Sequence, residues 1–82
     1  MDTPKAEKPT TFVRLRAGEI ESTSFVRHSD DSAGFVADGF FHIHEGGPDV
    51  WQNALAELTS IGFEDINAAK ARGIVPVDWV PA

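Results

Sequence analysis

Eighty-two residues with a formal net charge of −6 and no cysteine suffice for one domain and exclude a disulfide-stapled fold. A chain this short buries only about 60% of the surface its unfolded form exposes, so extra stability has to come from a metal or a partner. No run of about 20 apolar residues exists to span a bilayer and residues 1–20 carry no signal-peptide pattern; the expected setting is soluble and cytoplasmic.

Residues 1–10, MDTPKAEKPT, hold two prolines and charges of both signs and are expected to be a disordered tail. Residues 11–82 are expected to form one α+β domain, ending in an extended segment over 74–82. From Thr11 apolar and polar residues alternate, with Val13 and Leu15 on one side and Phe12, Arg14 and Arg16 on the other. A Gly18-Glu19 loop then pairs Arg16 with Glu21 and Phe12 with Phe25. The second strand runs from about Ile20 to His28 and stops at Ser29-Asp30-Asp31-Ser32, a cluster suited to turns. Asp38-Gly39 between two apolar runs marks a second hairpin that pairs Val36 with Phe41, Ala37 with Phe40 and Phe35 with His42.

Gly46, Gly47 and Pro48 break the sheet, with Pro48 as first residue of a helix and Asp49 at its positive end. Val50, Trp51, Ala54, Leu55, Leu58 and Ile61 recur at helical spacing through Ser60, and Gly62 stops the run. A shorter helix is expected from about Glu64 to Arg72, closed by Gly73. Pro76 and Pro81 keep the remainder extended, and its apolar content has it pack back on the body through Trp79 or dock elsewhere. The expected architecture is a three- or four-stranded antiparallel meander with both helices on one face.

Eight acids (Asp30, Asp31, Asp38, Glu45, Asp49, Glu57, Glu64, Asp65) lie between Arg27 and Lys70 with no Lys or Arg among them. Such a field disfavours direct binding of nucleic acid or an anionic membrane and favours a partner protein with a basic surface. Asp30, Asp31, Glu64 and Asp65 are the candidates to meet it. Glu64 and Asp65 also argue against a helix-turn-helix reader, since they open the would-be recognition helix.

His42 and His44 stand about 7 Å apart on one side of a strand, which suggests a divalent-metal pair with Asp38, Glu45 or His28 as a third ligand. Catalysis finds little support. The chain has no cysteine or tyrosine, no G-x-S-x-G elbow, and no glycine-rich phosphate loop. Leu58, Ile61, Gly62 and Phe63, followed by Ala68 and Ala71, resemble the first loop of ubiquitin-associated domains, in which L-x-x-M-G-F precedes an alanine-rich helix. Ile61 replaces the methionine, and Pro76 and Pro81 fall where that family has its third helix, so ubiquitin binding is not carried over.

In these registers Phe12, Phe25, Phe35, Phe40, His42 and His44 gather on one side of the sheet, expected to be an exposed aromatic face, with Trp79 close by or covering it. The expected function is therefore a small, acidic, non-enzymatic protein-interaction module: a binder, adaptor or inhibitor, of the accessory type carried by phages or mobile elements. A DNA-mimicking inhibitor is the special case in which the acids form one stripe. The alternative is a metal-binding protein built on His42 and His44. A shared aromatic face also makes a symmetric homodimer an expected outcome.

Overall fold

The alternation over the first half of the sequence produces four antiparallel strands, and the computed structural model of the chain, which describes residues 9–28 and 32–81, adds a fifth. The elements are β1 (Thr10–Arg16), β2 (Glu19–His28), β3 (Ser32–Ala37), β4 (Phe40–Glu45), α1 (Val50–Ser60), β5 (Glu64–Asp65) and α2 (Ile66–Ala71). The strands form one sheet in the order β4-β3-β2-β1-β5. The fold is thus α+β, with one strand more than expected. Thr10, assigned above to the tail, opens β1 and pairs with Phe25 of β2; residues 1–8, and with them most of the expected tail, lie outside the described residues.

The second hairpin adopts the expected register, Val36 opposite Phe41 and Phe35 opposite His42. The first does not. Its loop is Ala17-Gly18, with φ of 52° and 81°, the doubly positive backbone whose twist matches that of the strands. Arg16 therefore faces Glu19, Arg14 faces Glu21, and Phe12 faces Thr23. The slip is by two positions, so every side chain keeps its face, and Phe12 still meets Phe25 diagonally with ring centroids 5.9 Å apart.

α1 begins at Val50 with Asp49 as its N-cap, which leaves Pro48 in the preceding turn. Its last turn closes as Gly62, at φ 100°, donates its N–H to Thr59 O at 3.0 Å. Glu64 and Asp65, expected in the second helix, instead pair with Val13 and Phe12 as β5. Asp65 then caps the shorter α2, its Oδ1 accepting from Asn67 N at 2.8 Å and Ala68 N at 3.3 Å.

The two helices lie on opposite faces of the sheet, not on one. Phe12, Phe25, Ala33, Phe35 and Ala37 pack with Ala54, Leu58 and Phe63 on the α1 side, flanked by Trp51 and Ile61. Val13, the next residue after Phe12, points the other way and is buried with Ala69 and Val75, against Ile20, Ile66, Ile74 and Trp79. Of the two expectations for the C-terminal segment, packing back on the body holds through Val75 and a half-buried Trp79, while Val77 and Val80 stay exposed. Both layers cover β1. Among the described residues α1 is the helix that packs on β3 and β4, and of the C-terminal segment Pro81 comes near Val36 and Phe41.

Candidate interaction surface

The expected aromatic face is core along most of its length. Phe12, Phe25 and Phe35 are buried beneath α1, Phe35 being 1% exposed, which takes them out of reach of a partner. Arg14 shares that face with Phe12, and its guanidinium is itself buried. It donates to Ile61 O just beyond α1 (2.8 Å) and to Glu21 (2.9 Å) and Asp38 (2.6 Å), and lies 4.5 Å from the centre of the Phe63 ring. Burial alone would push the Arg14 proton affinity down; the Asp38 and Glu21 carboxylates outweigh it and hold it above the ordinary value.

Three of the exposed large apolar residues lie together on the other side of the second hairpin; the rest, Leu15, Phe40, Leu55, Val77 and Val80, are spread over other elements. Val36 is 56% exposed, Phe41 60% and Ile43 49%, and the registers place all three on one face. Gly34 belongs to this face and holds the Phe41 ring close: a Cβ built there would lie 2.9 Å from the ring and 3.0 Å from His42 O. The β2–β3 ladder ends at Val26 and Gly34, and the Val36 N–H turns to the Thr23 hydroxyl at 3.2 Å. A shallow groove opens there, bordered by Ser22, Ser24, Val26, Val36 and Phe41, with Pro81 beside it.

This face ends at an open edge. A two-residue loop closes on a pair that exchanges both hydrogen bonds, here Ala37 with Phe40. Phe40, His42 and His44 therefore bond inward to β3, and the N–H and C=O groups of Phe41, Ile43 and Glu45 point off the sheet. Among the described residues no strand pairs with that side of β4. The strand holds no Lys, Arg or Pro, the residues that commonly blunt an edge. Phe40, at the start of β4, is the one phenylalanine of the expected patch that is exposed, at 71%.

His42 and His44 are turned toward α1. His42 Nδ1 donates to Glu57 Oε2 at 3.1 Å and His44 Nε2 to Glu57 Oε1 at 2.6 Å, while the His42 ring stacks on Phe35 with centroids 4.9 Å apart. The hydrogen bond from His44 above all, supplemented by His42 and opposed by burial, holds the Glu57 carboxyl below its ordinary range. Among the described residues no three His, Asp or Glu side chains are grouped to hold a metal ion. Asp38, considered above as a third ligand, is bound to Arg14 and Arg16.

The acidic stretch is more neutralised than its sequence implies. Besides Asp38 and Glu57, Glu64 accepts from Arg72 Nη1 through Oε1 at 2.9 Å and Oε2 at 2.8 Å, and Asp65 is occupied as a cap. The partners of Asp38 and Glu57 are distant in sequence, whereas Arg72 lies just past the base-free stretch and Asp65 is held by the backbone N–H groups two and three residues on. Asp30 and Asp31 lie outside the described residues. No described helix is long and apolar enough to cross a membrane. In comparison with known proteins, no family model, no curated protein and no solved structure matches the chain.

Proposed function

We propose that this protein is a non-enzymatic protein-interaction module that recognises its partner through the outer face and open edge of the β3–β4 hairpin. The observation that carries this reading is the uncovered row of Val36, Phe41 and Ile43 beside a strand edge on which no strand pairs among the described residues. Apolar residues in such a row usually mark interaction sites, and an open edge can take an added strand, whose main-chain bonds give affinity while alternate side chains give specificity. The Phe41 ring seated over Gly34 is partly preorganised, which lowers the ordering cost of binding.

Photo-crosslinking in the native cell tests the reading. A benzophenone amino acid at position 36 or 41 should give a discrete protein adduct on illumination. The same group at Asn53, on the exposed side of α1, should not. Absence of adducts at 36 and 41, or a pattern indistinguishable from that at 53, contradicts the proposal.

A further inference from the structure

We infer that the partner of this surface is a second copy of the chain, joined antiparallel along β4 to make one continuous sheet about a twofold axis. The inference rests on the interaction reading above and adds the identity of the partner and the register of the contact.

Directly opposed residues of an antiparallel pair share a face, so a twofold β4–β4 pairing must be centred on a residue. Centring on His42 sets Phe41 against Ile43 of the second copy and Phe40 against His44 of the second copy. Phe41 and Ile43 are also the residues whose backbone groups point off the edge, so this register supplies four main-chain hydrogen bonds between them. Centring on Ile43 would instead set the carboxylate of Glu45 against the Phe41 ring. In the preferred register Glu45 falls at the end of the ladder, opposite Gly39 of the second copy, and no charge opposes a like charge within it. His42 does not obstruct the axis, being drawn back onto Phe35 and Glu57.

The net charge of −6 opposes association of two copies at long range, but the apolar contact itself is free of acids. No acid lies among Val26, Gly34, Val36, Phe41 and Ile43, so a basic partner has nothing to grip there. An identical apolar edge is complementary as it stands. The area fits a reversible contact. Taking about 200 Å² for a large apolar side chain, Phe40, Phe41 and Ile43 present on the order of 300 Å² per copy. Two copies then bring together on the order of 600 Å² of side chain besides their edge backbones, below the roughly 1,200 Å² of a stable specific interface and in the range of a weak, transient one.

Sedimentation equilibrium from about 10 µM to about 1 mM tests this, a range in which a reversible contact of this size should titrate. The mass should rise with concentration from 8.9 kDa toward twice that value. Phe41→Asp should abolish the rise. Ile43→Pro removes an N–H that points off the edge and leaves the β3 ladder intact; it should weaken association by about tenfold or more, because two hydrogen bonds are lost per dimer. Val77→Asp, on the exposed tail, should associate like the parent chain. Circular dichroism of each variant confirms that the fold persists. A parent chain monomeric throughout overturns the homodimer; a photo-adduct with a different protein at position 36 or 41 would then still uphold the interaction surface. A dimer lost in Phe41→Asp but unaffected by Ile43→Pro overturns the edge pairing.

Discussion

The two hairpins differ in how many of their faces are covered. In β1 the adjacent residues Phe12 and Val13 are both buried, one beneath α1 and one beneath α2 and the C-terminal segment. In β3 the adjacent residues Phe35 and Val36 part company: the first is core and the second mostly exposed. Both hairpins carry apolar residues on both faces, so composition does not separate them. What separates them is reach. α1 extends over both hairpins on its side, whereas the second layer gathers around Val13 and Ile20. An apolar strand face is buried only where another element is long enough to lie on it, and the remainder becomes a surface available for recognition.

The sharpest way to break this contrast is to truncate one ring on each side of the second hairpin. Phe35→Ala should cost about 3–5 kcal/mol, as for other buried aromatic rings, while Phe41→Ala should cost less than about 1 kcal/mol in dilute solution. Urea unfolding at low micromolar concentration measures both. Equal losses would mean that the outer face is as structural as the inner one.

The second layer should show an intermediate effect. Trp79 packs on the Val13 cluster but is only half-buried, so Trp79→Ala should destabilise by about 1–2 kcal/mol, below the range for a fully buried ring. No change in the urea midpoint would remove the C-terminal segment from the layer that covers β1.

Gly34→Ala sharpens the comparison at the boundary of the exposed face. The new methyl meets the Phe41 ring and His42 O, and forcing them apart should cost about 1 kcal/mol. In the background of Phe41→Ala part of that cost should disappear, giving a non-zero coupling in a double-mutant cycle. Strict additivity would show that the ring does not rest on Gly34.

The smallest effect concerns the attachment of β4 to α1. Glu57 titrates below its ordinary value in the fold, held there first by His44 and then by His42. A depressed carboxyl contributes stability that is present above its unfolded value and is lost as pH falls through the folded one. Asp38, depressed by Arg14 and then Arg16, acts in the same direction. Glu57→Gln should therefore flatten part of the acid limb of the stability–pH curve, by well under about 1 kcal/mol for a group this solvent-screened. An unchanged acid limb would remove the histidine clamp from the balance.

Much of the fold could be read from local chemistry. Asp38-Gly39 fixed the second hairpin and its register, the three- and four-residue spacing gave α1, and Gly62 marked its end. Glu64 and Asp65 were misread because acids before an apolar run look like a helix start, and pairing with β1 is a long-range event that overrides that signal. The inverted faces have a more instructive cause. Arg14 shares the inner face with Phe12, and a carbonyl at the end of α1 and two carboxylates receive its charge there. A better cue lay in β2, where Ser22 and Ser24 are exposed and Thr23 and Phe25 are buried. Their alternation already set Phe25, and with it Phe12 and Phe35, on the inner side.

Amide hydrogen exchange along β4, followed by NMR at two concentrations, probes the open edge most directly. In dilute protein Phe40, His42 and His44 should be protected by their bonds to β3, while Phe41 and Ile43 exchange freely. Near millimolar concentration Phe41 and Ile43 should slow by about tenfold or more as they acquire partners on the second copy. Exchange at Phe41 and Ile43 that stays fast and independent of concentration, beside a protected Phe40, His42 and His44, would contradict edge-to-edge pairing of two copies.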